Sequence, residues 1–212
     1  MQAKPFPQKP EIVRVHTFID GQNLFLSAKE CFDYKYPNFD PIALSEKIAN
    51  LLPNRRLEKV HFYTGIHDLR KDPFWHLFWN NKLLQLLHKG VDVHTRKLKY
   101  REIPIEISPG KFKKVSVGNE KGIDLRLALD LVRLARKGEY DVAIIFSQDQ
   151  DLEEAVNEVY EIRQEFNRWI MIESAFPFSS SAKNPKGLSK TQWRYIDKSL
   201  YDECIDPRDY RP

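Results

Sequence analysis

Four aspartates stand where a sheet protein keeps its chemistry. The stretch Asp141 to Asp151 reads DVAIIFSQDQD: an apolar run, Val142 to Phe146, stops abruptly at Ser147, Asp149 and Asp151, and a helical pattern starts at Leu152. A continuous apolar run marks a strand buried on both faces, and such strands belong to parallel sheets covered by helices. In open sheets of that kind, ligands bind beyond the carboxyl ends of the strands. Asp20 holds the same place after an earlier apolar stretch that closes on Phe18 and Ile19, just before Gly21-Gln22-Asn23. Asp124 opens the amphipathic stretch 123–137. At roughly 100° per residue from Ile123, the residues Leu134, Leu127, Leu131 and Ala135 fall near ~20°, ~40°, ~80° and ~120°. Asp124 falls near ~100°, inside that apolar arc. Arg126, Asp130, Arg133 and Arg136 fall outside it, so Asp130 reads as an ordinary solvent acid. An inward carboxylate in a first helical turn needs a partner, because an unpaired buried charge is costly.

Some of these residues also have a plainer explanation. Asp20 before Gly21 suits a turn, and Asn23 suits a helix cap. Asp151 with Glu154 three residues on suits a capping box. Capping leaves Ser147 and Asp149 unexplained. Taken together, acids converging at one sheet edge repel one another unless a cation lies between them. Mg²⁺ and Mn²⁺ are the natural occupants, since they are hard ions that prefer oxygen and keep waters. No His or Cys spacing offers a zinc site, and the two cysteines, Cys31 and Cys204, make no disulfide framework. A carboxylate-held cation of this kind activates water and stabilises the oxygens of an in-line phosphoryl displacement.

The charge pattern points to a polyanionic partner. The net charge of +4 is modest, but it is unevenly spread. Between His94 and Lys114 seven basic residues (Arg96, Lys97, Lys99, Arg101, Lys111, Lys113 and Lys114) face two acids, a local net of +5. Near the carboxyl end Lys183, Lys186, Lys190, Arg194 and Lys198 face Asp197, a local net of +4. Such clusters suit a phosphate backbone, although a solvated loop surface explains the charge as well. Trp75 and Trp79, four apart on one helical stripe, read as core together with Trp169, and Trp193 beside Arg194 reads as the better base-stacking candidate.

The elements that must position these residues alternate. Strands are expected over 11–19, 57–64, 91–100, 142–146 and 168–173, and helices over 24–32, 41–52, 74–89, 123–137 and 152–164. Asp40-Pro41 and Asp72-Pro73 are helix starts, Gly90 and Gly138 are helix stops, and Ser108-Pro109-Gly110 is the tip of a projecting hairpin. A short helical pattern is expected over 196–204. Alternation of this sort implies a mainly parallel sheet with helices on both faces, an α/β/α sandwich. The expected organisation is a flexible Pro-rich lead-in (1–10), one α/β domain (11–174) and a basic extension packing on it (175–212). The lead-in has no apolar core of a secretory signal, no stretch is long enough to span a membrane, and the low cysteine count suits a reducing, cytoplasmic setting.

FIDGQN (Phe18 to Asn23), EKGIDLRLALD (Glu120 to Asp130) and SQDQDL (Ser147 to Leu152) together resemble the three signature blocks of the NYN domain, most closely its LabA-like branch, within the PIN-like nuclease superfamily. The resemblance covers roughly Arg14 to Glu173. It implies a Rossmann-like, PIN-like α/β/α fold and a metal-dependent nuclease, usually acting on RNA. By position, Asp20, Asp124, Asp149 and Asp151 match the metal-binding acids. Asn23 matches the polar residue of the first block, Ser147 the small hydroxyl residue beside the site, and Lys121 a residue near the substrate phosphate. Gln148 departs from the pattern, standing where a Gly is common, but it removes no ligand.

The leading expectation is therefore a Mg²⁺- or Mn²⁺-dependent endonuclease acting on RNA, with Arg96, Lys97, Lys99, Arg101, Lys113, Lys114, Lys190 and Arg194 holding the nucleic acid. A DNA-directed nuclease of the same fold is the close alternative, because phosphate contacts carry no sugar information. A non-catalytic nucleic-acid-binding or adaptor module is the alternative from another class. A phosphatase of the haloacid dehalogenase type ranks last, since Gln22 occupies the place of its second acid. A protein partner or a homo-oligomer is compatible with all of these.

Overall fold

The computed structural model describes residues 7–108, 110–180 and 182–212. Residues 1–6 of the expected lead-in and Pro109 of the expected turn lie outside the described residues. The central sheet starts in its own middle. Strand β1 (Val13–Asp20) is flanked on one side by β2 (Arg55–Ile66) and then β3 (Asp92–Lys97). On its other side come β6 (Val142–Phe146), β7 (Met171–Pro177) and β8 (Gln192–Ile196), giving the order β3-β2-β1-β6-β7-β8. Every neighbouring pair in this sheet is parallel. The direction of winding therefore reverses between β1 and β6, and that reversal opens a crevice at the carboxyl ends of those two strands.

Helices cover both faces. On one side α1 (Gly21–Phe32), α2 (Pro41–Ala49) and α3 (Pro73–His88) bury Leu24, Leu44, Ile48, Phe78 and Leu83 against Val15, Ile19, Phe62, Ile144 and Phe146. On the other, α4 (Ile123–Lys137) and α5 (Glu153–Glu165) bury Leu127, Leu131, Val156 and Val159 against Phe18, Ala143 and Ile145. Strand β6 sends alternate side chains to the two cores, which is why its sequence is apolar throughout. The helix-start signals act as expected. Asp40 accepts the Ile42 N–H at 2.9 Å with Pro41 at the first helical position, and Asp72 accepts the Trp75 N–H at 3.2 Å.

Strands β4 (Lys99–Ser108) and β5 (Lys111–Asn119) form the expected hairpin as a separate two-stranded antiparallel sheet. Its base is pinned to the end of β2. The Tyr100 hydroxyl accepts the Asp68 N–H at 3.1 Å, and Leu98 lies against Gly65 and Gly118.

Two expectations are corrected. Asp130 is not a solvent acid: it is 3% exposed, because α4 lies over β2 and β3 and turns this side inward. Its carboxylate accepts from Tyr63 (3.2 Å) and Arg126 (2.7 Å) and pairs with Arg133 (2.9 Å). Residues 192–196, read as part of a basic tail, form the edge strand β8, followed by the short α6 (Lys198–Asp202). Tyr201, Cys204 and Tyr210 from this segment are buried in the first core. Among the described residues no helix is long and apolar enough to cross a membrane.

Candidate active site

The crevice between β1 and β6 is built by two capping aspartates. Asp20, the last residue of β1, is 8% exposed and caps α1 by accepting the Asn23 N–H at 3.0 Å. Asp149, just past β6, is half-buried and accepts the Asp151 N–H at 3.1 Å, capping a single 3-10 turn over Gln150–Leu152. Ser147 is buried, and its hydroxyl accepts the Asp149 N–H at 3.1 Å, so it positions that aspartate. Asn23 is not a cap. Its Oδ1 accepts the Gln148 N–H at 3.0 Å, tying the first turn of α1 to the loop after β6.

Asp124, half-buried in the first turn of α4, meets them from the other side. Asp20, Asp124, Asp149, Asn23 and Lys121 line one open cavity of about 380 Å³, joined by Glu120. Gly122, at φ 81°, takes the left-handed conformation that turns the chain from Lys121 into α4. Glu120 is held by its Oε2, which accepts the Gly65 N–H at 2.9 Å. A Cβ on residue 65 would stand 2.7 Å from that carboxylate and 2.4 Å from Leu98, so any larger residue there would push both side chains aside.

The electrostatics record crowding. Burial pushes the Asp20 carboxyl up to about 6; the charges of Asp149 and Asp124 add to this, and N–H donors from Asn23 and Gln22 oppose it. Burial likewise pushes Glu120 up to about 7, reinforced by Asp20 and Asp124 and opposed by the Gly65 N–H. Carboxyls held this far above their ordinary range are short of positive charge.

The donor chemistry bears on a cation. Only oxygen ligands are offered, since among the described residues neither His nor Cys borders the cavity. Among the described residues no three acids converge tightly enough to grip one ion directly. The set therefore fits a water-rich ion such as Mg²⁺, which takes one or two carboxylates and keeps several waters.

Asp151 is not brought to this cavity. Its side chain is exposed and only its N–H takes part, as the donor to Asp149. Nor does it form a capping box with Glu154, because the N-cap of α5 is Leu152, which makes no side-chain cap hydrogen bond.

Sequence reasoning missed two residues. Glu120 sits inside a block that was read only for Asp124. Its signal is an acid at a strand's end, directly before the Lys121-Gly122 turn. Gln148, a departure from the family pattern that removes no ligand, is also an anchor. Its Oε1 accepts the Ser27 hydroxyl at 2.8 Å, and its Nε2 donates to the carbonyls of Asn184 (2.8 Å) and Lys186 (2.9 Å). The loop carrying the second basic cluster is thus fastened beside the crevice.

The basic residues divide. Arg96, Lys97, Lys99, Arg101, Lys113 and Lys114 are exposed at the end of β3 and along the hairpin. Lys190 is exposed too, but its ammonium is shared with Asn157 at 2.8 Å and Glu153 at 3.5 Å. Arg194 is corrected: its guanidinium forks onto the fully buried Glu173 at 2.9 and 2.6 Å, and Arg55 grips the same carboxylate at 3.1 and 2.5 Å. Burial alone would raise Glu173, and the two guanidinium groups more than offset it, so its pKa is lowered. A larger cavity of about 530 Å³, lined by Arg14, Tyr140 and Asp141, lies at the amino ends of β1 and β6, away from the crowded acids.

No curated protein and no solved structure matches the chain. The model of the NYN domain family matches residues 14–182, most of the chain and every residue of the acid cavity. The chain belongs to the NYN domain family, within the PIN-like nuclease superfamily, whose members act on nucleic acids.

Proposed function

We propose that the protein is an endonuclease that hydrolyses phosphodiester bonds in RNA with Mg²⁺ or Mn²⁺. The observation that carries this reading is the convergence of Asp20, Asp124, Asp149 and Glu120 on one open cavity at the winding reversal. The raised pKa values of Asp20 and Glu120 support it, because an unrelieved cluster of this kind gains most from a cation.

Asp20 and Asp149 stand at the ends of adjacent parallel strands and would hold the ion, with Asp124 and Glu120 completing the negative wall. When bound, the ion supplies a lowered pKa for its water and neutralises charge on the phosphate oxygens. Asn23 and Ser147 keep the Asp149 loop in register with Asp20. Lys121, exposed at the rim, suits a substrate phosphate. The hairpin residues Lys99, Arg101, Lys113 and Lys114, with Arg96 and Lys97, extend a cationic track that fits a phosphate backbone. The choice of RNA over DNA is supported by the family likeness alone.

The test is cleavage of end-labelled RNA and matched DNA, single- and double-stranded, with Mn²⁺, Mg²⁺ or EDTA. Wild type is run beside Asp149→Asn. The expected outcome is metal-dependent cutting of RNA that disappears in the variant. Cutting that survives in the variant would refute the site. The second reading, a binding module without catalysis, draws on the absence of a tight three-acid grip among the described residues. It is supported instead if salt-sensitive binding persists while no strand is cut.

A further inference from the structure

Beside the acid cavity lies a smaller one, about 190 Å³, walled by the rings of Phe25, His67, Trp75 and Trp79. The two cavities share Gln22 and Leu26. Gly65 borders the aromatic cavity and Glu120 the acid one, so the hydrogen bond between them forms part of the partition. We propose that the aromatic cavity is a nucleobase subsite, receiving a base of the strand whose phosphate lies among the acids; the inference rests on the nuclease reading of that neighbouring site.

The chemistry of the walls selects a flat ring. The Trp75 ring lies 6.4 Å from His67 at an interplanar angle of 27°, and 6.1 Å from Phe25 at 52°. Trp75 is only half-buried, and Phe78 at 5.3 Å and Tyr36 at 5.9 Å hold it from behind. It packs on the first core, as its stripe suggests, and keeps surface to spare as a supported platform. The exposed Gln22 adds a polar side chain among these rings, which a wholly apolar ligand would not use. Among the described residues no Lys or Arg borders the cavity, so it does not suit the phosphate itself. Its volume falls below the ~300–1,000 Å³ of pockets for drug-sized ligands, which fits one ring system rather than a whole nucleotide.

The rim is also tied to the cationic hairpin. The Tyr100 hydroxyl at the hairpin's base lies 3.4 Å from His67 Nδ1 and accepts the Asp68 N–H. A strand following the hairpin therefore reaches the aromatic cavity and the acid cavity side by side. A base stacked in this cavity against the Trp75 platform cannot remain paired, so the substrate class is a single strand or an unpaired loop.

The experiment measures binding in EDTA, where no cutting intervenes, by fluorescence anisotropy of a short labelled single-stranded RNA. The same length of abasic ribose-phosphate chain keeps the charge and removes the rings. Wild type should bind the base-bearing strand roughly tenfold or more tightly than the abasic one. Trp75→Leu should lose most of that ratio by weakening only the base-bearing strand, and Phe25→Leu, on the opposite wall and on a different helix, should act in the same direction. The proposal is overturned if both variants keep the wild-type ratio, if they weaken both strands equally, or if neither strand binds wild type. Cutting with Mn²⁺ is assayed separately on the same strand. Its absence in wild type counts against the nuclease reading, whereas loss of the binding ratio counts only on the subsite.

Discussion

Asn23 Oδ1 accepts the Gln148 N–H at 3.0 Å, and this bond spans the point where the sheet reverses its winding. Asp20 lies three residues before Asn23, and Asp149 directly follows Gln148. The bond thus sets the spacing between the loops that present the two acids. Asn23→Ala should cost about 1–2 kcal/mol, the worth of one hydrogen bond and a loop N–H left to water. In a chain of this size that lowers Tm by roughly 2–8 °C. Cutting should fall further than stability does, on the order of 100-fold, because small displacements of reacting groups are expensive. A variant that melts lower yet cuts like wild type would show that the bond serves the fold alone.

A second prediction concerns acid. His61 on β2 is buried, and its Nε2 lies 3.2 Å from His16 Nδ1 on β1. Asp92 and His94 on β3 and Asp130 on α4 also face it, and the Phe18 ring stacks on it at 4.8 Å. Burial first, then the neighbouring His16, lowers the His61 pKa to about 4 despite the opposing pull of Asp92 and Asp130. A lowered histidine binds its proton in the unfolded chain before it does so in the folded one. Stability contributed here is therefore intact above about pH 6.5 and is lost as pH falls from there toward 4. Urea unfolding at pH 5 should show a loss of about 2 kcal/mol from this group relative to pH 7.5. His61→Phe should flatten that part of the profile; an unchanged slope would mean that other groups set the acid sensitivity.

Asp149 and Asp151 separate an acid of the cavity from its neighbour. Both stand in the acidic loop after β6, but only Asp149 borders the cavity. Asp151→Asn should keep its N–H bond to Asp149 and cut RNA within about threefold of wild type, the small charge effect of an exposed acid. Mn²⁺ should raise the Tm of wild type and of this variant alike, and should leave that of Asp149→Asn unmoved. Loss of the Mn²⁺ shift in Asp151→Asn would return that residue to the site.

Much of this was legible because it depends on local rules. The all-apolar β6, the Asp-Pro helix starts and the hydrophobic arc of α4 each report their own surroundings. That Asp20, Asp124 and Asp149 border one cavity is legible because strand ends and a helix start can be read one at a time. Glu120 escaped because what makes it unusual is the approach of Gly65, fifty-five residues away, which no period or cap signals. Asp130 escaped for a related reason. A helical wheel shows which arc is apolar, but not that α4 also leans on His94 and Tyr63. Strand β8 was hidden by its composition, since Arg194 makes QWRYI look like surface until Glu173 appears beside it. Trp75 packs on the core as its apolar stripe implies, but a stripe does not reveal the opening beside it.

Arg194 and Arg101 look alike in sequence and should behave in opposite ways. Arg101 is exposed on the hairpin, so it is free to meet a phosphate. Arg101→Ala should leave Tm nearly unchanged and weaken RNA binding, reducing the slope of log affinity against log salt by about 0.7 for a single strand. Arg194 is committed to Glu173, a fully buried carboxylate whose other partner is Arg55. Removing it leaves that charge half-compensated on the β7–β8 edge of the sheet. Arg194→Ala should therefore cost about 1.5–3 kcal/mol, a charged hydrogen-bonded pair, while the salt slope stays at its wild-type value. Thermal melts and a salt titration of both variants decide the matter together. If Arg194→Ala flattens the salt slope without lowering Tm, the guanidinium leaves Glu173 to bind nucleic acid, and the triad is not the fixed structural contact described for it.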